Sequence, residues 1–157
     1  MRTLFVLSLL VVFTLSSCQS QADLSQPPDI RYGEDICEEC NMIISEARFA
    51  AAYYTEGGDA RGFDDVGGMA IYHAEHQEDV AQFWVHDYLT EAWIIADQAY
   101  FVMSDNLQTP MGHGVVAFSD QAQAENLVSE VGGMLMTFTD VMESLEGESD
   151  SHSHSEP

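Results

Sequence analysis

Lysine is absent from this chain of 157 residues, and its four basic residues are all arginines (Arg2, Arg31, Arg48, Arg61), set against 27 aspartates and glutamates. The resulting net charge of -23, with a pI near 4.1, repels phosphate backbones. DNA, RNA and anionic lipid headgroups are therefore excluded as electrostatic partners, and cations or basic protein surfaces are favoured. Hydration in a saline habitat explains the same imbalance. Only three cysteines occur, and no second Cys-x-x-Cys accompanies Cys37–Cys40, which leaves zinc short of two strong ligands. No Ser/His/Asp set, phosphate loop or paired catalytic carboxylates stand out, so catalytic turnover is not expected. What the chain does have is 46% hydrophobic residues, too many for a disordered acidic polymer.

The only long apolar run, Leu4 to Leu15, is broken by Ser8 and Thr14 and follows the positive start Met1-Arg2. It is signal-peptide sized, too short for a span of about 20 residues. Its end, Leu15-Ser16-Ser17-Cys18, resembles the lipobox of bacterial lipoproteins. That resemblance implies cleavage after residue 17, acyl chains on Cys18 and a firm membrane anchor. Gln19, in place of the aspartate that retains enteric lipoproteins at the inner membrane, favours the outer membrane on the periplasmic side.

Residues 18–30 carry Pro27-Pro28 without apolar period and read as a tether. From residue 143 to 157 the chain is Glu-, Ser- and Gly-rich, has no apolar residue after Leu145, and includes His152 and His154. It reads as a disordered tail. The folded domain is thus about 31–142. Strand-like stretches lie at Arg48 to Thr55, Ala60 to Phe63 and Gln82 to Tyr88, with a helix from an Asp64 or Asp65 cap to about Gln77. The second half repeats the order, with strands at Ala92 to Ile95, Tyr100 to Met103 and Gly114 to Phe118. A helix capped by Ser119 or Asp120 then runs to about Glu130, before a last strand from Met134 to Phe138. Aligning Phe63-Asp64-Asp65 with Phe118-Ser119-Asp120 superposes these elements and makes the repeated Val-Gly-Gly-Met a coincidence. Two ββαβ-like modules, about 31–90 and 91–142, predict an α+β domain of antiparallel sheets and helices.

Two clusters carry chemistry. In Cys37-Glu38-Glu39-Cys40-Asn41-Met42, two thiolates and a thioether lie within a short loop's reach of one point. These are soft ligands suited to Cu(I). A Cys37–Cys40 disulfide, a thiol redox pair or a zinc site uses the same thiols, although the two glutamates would raise the thiol pKa and thus disfavour redox reactivity. The second cluster, Thr109-Pro110-Met111-Gly112-His113-Gly114, is a tight turn that presents Met111 and His113. A methionine in a glycine-rich polar turn is poorly placed for packing, and thioether plus imidazole would complete a soft shell if the fold brings the turn to Cys40.

Together, Cys40-Asn41-Met42, Phe63-Asp64-Asp65 with Met69 and Tyr72, Pro110 to Gly114 with Ala117-Phe118, and Gly132-Gly133 before the last strand resemble the NosL family of lipoprotein copper chaperones. The resemblance spans about Gly33 to Val141. It implies two ββαβ-like halves and Cu(I) held by a Cys and Met residues for delivery to the catalytic copper–sulfur centre of nitrous oxide reductase. Carried over, Cys40, Met42 and Met111 match the ligand motifs, with Cys37 and His113 as auxiliary candidates. Asn41 stands where family members commonly have glycine, and asparagine tolerates a left-handed turn. The acidic surface then has a role in steering the chain to a basic patch on its client. The alternative function is a thiol-disulfide reductant working through Cys37 and Cys40.

The remaining candidates read as structural. His73 and His76 belong to a solvated helix end, His86 to a strand, and His152 and His154 to the polar tail. Met134, Met136 and Met142 are explained by packing around the last strand.

Overall fold

The computed structural model describes residues 23–152, with side chains described to residue 146. The signal segment, Cys18, the first part of the tether and His154 lie outside the described residues. No helix among the described residues is long and apolar enough to cross a membrane.

The first module begins with β1 (Ala51–Thr55), whose aromatic and β-branched residues suit a half-buried strand. It turns through Glu56 to Asp59 into β2 (Ala60–Phe63), with Gly58 at φ 88, a left-handed conformation open to glycine without strain. Helix α1 (Val66–His76) follows. Its N-cap is Asp65, whose side chain accepts from the Gly68 N–H, and it ends at Gln77 in the left-handed region. Strand β3 (Val80–His86) returns beside β1.

The second module repeats the path: β5 (Tyr100–Met103), β6 (Val115–Phe118), α2 (Gln121–Val131) with Asp120 as N-cap, and β7 (Met134–Met136). In each module the first strand is central and all pairings are antiparallel, giving the orders β2-β1-β3 and β6-β5-β7. Phe63 and Phe118 end equivalent strands, and Asp65 and Asp120 cap equivalent helices. The α+β class and the two-module repeat are thus present in the structure. The first Val-Gly-Gly-Met opens a helix, while the second spans the close of one.

Besides a two-residue shift of β3, expected at Gln82 to Tyr88, three larger differences from the expectations appear. Ala47–Phe49 forms a short 3-10 turn that buries Phe49, so the first strand starts at Ala51. The strand expected to open the second half, β4 (Trp93–Ile95), pairs with β3 and completes the first sheet as its edge. The third difference is at the C-terminus, where the last strand stops at Met136 and α3 (Phe138–His152) takes over. The expected tail is helical through His152. Thr137 and Asp140 make a reciprocal cap: the Asp140 carboxylate accepts the Thr137 N–H at 2.8 Å, and Thr137 Oγ1 accepts the Asp140 N–H at 3.3 Å. Phe138, Val141 and Leu145 then fall on one buried stripe, which is why the helix continues past residue 143.

The main core lies between the two modules, with Tyr53, Phe63, Met69, Val85, Phe101, Val115 and Val141 all fully buried, and α3 packs against α1. A smaller cluster, including Val102, Val116, Phe118 and Ala124, sits under α2. Buried Asp87, just past β3, joins the modules. Its Oδ2 accepts from the Ser119 N–H and hydroxyl at 2.8 and 2.7 Å, and its Oδ1 accepts from the Thr90 N–H and hydroxyl at 2.8 and 2.9 Å.

His86, read as a structural strand residue, is buried and held from both sides, near Tyr32 Oη at 2.5 Å and the Glu91 carbonyl at 2.8 Å. The solvated reading of His73 is corrected: its ring meets Tyr53 and Phe83 edge-on, and its Nδ1 is buried. His76, at the helix end, stacks on Tyr72 at 3.8 Å.

Candidate metal centre

A lone bridge between Ile36 and Ile43 closes a hairpin loop around Cys37 to Met42. Inside it the Cys37 N–H donates to the Met42 carbonyl at 2.8 Å, and the Asn41 N–H donates to the Cys37 carbonyl at 3.0 Å. Asn41 makes the reversal at φ 60, the left-handed conformation that asparagine accepts more readily than most residues. The Glu38 N–H reaches the Gly62 carbonyl at 3.0 Å, which docks the loop onto the end of β2 and brings its thiols to Asp64.

Cys37 Sγ, Cys40 Sγ and an Asp64 carboxylate oxygen all lie within 4.8 Å of one another. Metal–sulfur bonds of about 2.3 Å bridge such a spacing with little movement. Both cysteines are free thiols, Cys37 fully buried and Cys40 half-buried, and Cys40 Sγ lies 3.6 Å from Asp64 Oδ2. The second oxygen, Asp64 Oδ1, is buried with no hydrogen-bond partner among the described residues. An unmatched buried carboxylate oxygen is costly, and a cation in the pocket would remove that cost.

Burial pushes the Cys37 thiol up to about 12, and the Cys40 side chain adds to that. The backbone N–H groups of Cys40, Asp64 and Glu39 oppose the shift by favouring the thiolate. Burial, rather than the two intervening glutamates, is therefore what holds the proton. A thiol in this state is a poor nucleophile, which disfavours the redox-pair reading, but a soft metal would displace the proton.

The second cluster arrives through the neighbouring aspartate. Asp65, fully buried, uses Oδ1 to cap α1 and Oδ2 to accept from the Met111 N–H at 3.0 Å and the Thr109 hydroxyl at 2.8 Å. The turn lies against the first helical residues, where a Cβ on Gly68 would stand 2.5 Å from Met111 Sδ and one on Gly67 would overlap the His113 ring and Cβ. These two glycines make the space in which Met111 and His113 sit. Burial and Glu75 raise the Glu39 carboxyl, whereas His76 and His113 lower it, so the His113 turn and the cysteine loop share one electrostatic neighbourhood.

Of the expected ligands, the structure thus gathers Cys37 and Cys40 directly, and holds Met111 and His113 at the same helix start. Met42 is 54% exposed on the rim of the loop, with Ile43 and Ile36 also exposed. Reading the sequence missed Asp64 as the carboxylate beside the thiols and Asp65 as the anchor of the Met111 turn. The available signal was the doublet itself, because a helix start needs only one capping carboxylate.

A family model described as NosL matches residues 31–145. The chain is also similar to a copper-binding lipoprotein NosL from Stutzerimonas stutzeri, 24% identical over an alignment of 161 positions, with 95% of this chain and 85% of the relative covered. In fold it resembles the crystal structure of the copper chaperone NosL from Shewanella denitrificans. The TM-score is 0.66 at 23% identity, covering 73% of this chain and 93% of that one.

Proposed function

Because the chain belongs to the NosL family, we propose that it is a lipid-anchored periplasmic metallochaperone that carries Cu(I) to nitrous oxide reductase, tethered through Cys18, with outer-membrane sorting. The relatives are named for copper binding and chaperoning rather than for catalysis, which supports a binding role. The observation that carries the reading is the Asp64-Asp65 doublet, which sets two thiols and a methionine turn around one helix start.

In this reading Cu(I) is cargo. Cys40 is the principal ligand, Met42 and Met111 supply thioethers, and Cys37 and His113 assist. The Cys40 thiol loses its proton to solvent as the metal binds, with Asp64 as the nearest carboxylate. Sulfur donors and a low coordination number keep the ion monovalent and leave a position for an incoming ligand. Release proceeds by stepwise exchange onto imidazoles of the client. The acidic surface steers the complex towards a basic patch, so transfer slows as salt rises.

The test is an anaerobic Cu(I) titration against a chromophoric chelator, followed by metallation of copper-free reductase. Stoichiometric binding and activation of the reductase, both lost in Cys40→Ser and weakened in Met111→Ala, is the expected result. Undiminished binding in both variants would sink the site, and tight binding without activation would sink the client.

A further inference from the structure

Met134, expected to pack, is 57% exposed at the start of β7. The register sets Met134 directly opposite Met103 on β5, with Met136 two residues further along β7. Alternation along a strand puts Met134 and Met136 on one face, and a directly opposed residue shares that face, so all three thioethers stand on the same side of the second sheet. Opposed residues have Cβ atoms about 4.5–5.5 Å apart, and the diagonal Met103–Met136 pair about 7–8 Å. An unbranched side chain with three rotatable bonds spans such gaps to a common point. Met103 and Met136 are half-buried against the main core, whereas Met134 is open to solvent.

We propose that Met103, Met134 and Met136 form a second soft-cation site, which takes Cu(I) through thioethers alone. Neutral thioethers offer nothing to calcium or magnesium and little to zinc, but they are competent ligands for a soft monovalent ion. Met134 fits poorly with packing alone, because a solvent-facing position on a three-residue edge strand buries no methionine well. The location fits the chemistry too. Met103 ends β5, and the chain leads directly from it into the segment that carries Met111 and His113. Thioethers are neutral donors, so a soft ion binds at this exposed edge without displacing a proton, whereas the thiols must lose theirs. The inference rests on this donor geometry and stands apart from the identity of the client.

The experiment uses the chain labelled at its methionine methyl carbons. Silver(I), a redox-inert soft ion, is titrated while methyl resonances are followed, alongside anaerobic Cu(I) competition. Two classes of binding are expected. The tighter class is lost in Cys40→Ser while the methyl signals of Met103, Met134 and Met136 still shift together. The weaker class falls about tenfold or more in affinity in Met134→Leu, a substitution on an exposed residue that leaves the fold intact, and further in the triple Leu variant. Methyl signals of the three residues that stay unmoved by silver, or a weaker class unchanged in Met134→Leu, would overturn the second site. Failure of the cysteine centre would show separately, as a tight class that survives Cys40→Ser.

Discussion

Asp65 and Met111, far apart in sequence, are joined by a hydrogen bond of 3.0 Å from the Met111 N–H to Asp65 Oδ2, while the other oxygen of the same carboxylate caps α1 by accepting the Gly68 N–H at 2.7 Å. One buried side chain thus starts a helix in the first module and fixes a turn of the second.

Asp65→Ala removes these two bonds and the third, from the Thr109 hydroxyl to Oδ2. Loss of the cap alone costs about 1 kcal/mol, and the unmatched Met111 N–H and Thr109 hydroxyl add to it. Thermal denaturation should show a lowered melting temperature, and chelator competition a weakened Cu(I) affinity, although Asp65 is no ligand. Unchanged affinity in a folded variant would mean that the Met111 turn plays no part in binding.

Gly68 and Gly67 offer a paired test of the space they leave. Alanine at either position raises helix propensity by about 1 kcal/mol. At Gly68 the added methyl meets the flexible end of Met111, so stability should change little while Cu(I) affinity drops. At Gly67 it meets the His113 Cβ, close to the backbone, and denaturant unfolding should show a loss of about 1–3 kcal/mol. Equal copper affinity in wild type and Gly68→Ala would remove Met111 from the ligand set.

The reversal at Asn41 separates conformation from chemistry. Asn41→Gly should keep Cu(I) affinity, since glycine adopts φ near 60 without strain. Asn41→Val should cost about 1–2 kcal/mol and spread the two thiols. Equal binding by the two variants in the chelator assay would show that the loop geometry is irrelevant to the site.

Asp87 predicts the acid limb of stability. Burial pushes its carboxyl up, but donors from Ser119 and Thr90 outweigh that and bring it down to about 2 from the ordinary 3.8. A depressed folded-state value stabilises the fold above the unfolded value, and that contribution is lost as pH falls through the folded one. A difference of this size is worth about 2 kcal/mol. Denaturant unfolding should place Asp87→Asn below wild type by about that amount at pH 6, with the gap narrowing from pH 4 towards pH 2. A gap constant with pH would mean that the carboxylate charge is not what joins the modules.

Local chemistry made much of this protein legible from its sequence. The paired modules announce themselves because strand residues, an aspartate cap and a helical period recur in one order, and these are short-range preferences that each segment carries with it. The Cys-x-x-Cys loop and the Met-Gly-His-Gly turn were visible for the same reason. Short-range signals were silent on where β4 would pair, since an edge strand can join either sheet, and on α3, whose acidic residues hide a buried stripe that exists only because α1 is there to cover it. They were equally silent on which carboxylate would stand beside the thiols. Asp64 and Asp65 look alike in sequence, and only the packing of the loop at Glu38 and the turn at Met111 divides them into one carboxylate facing the thiols and one holding the modules together. The missing lysines, by contrast, needed no fold to be read: a charge of -23 acts at long range, whatever shape carries it.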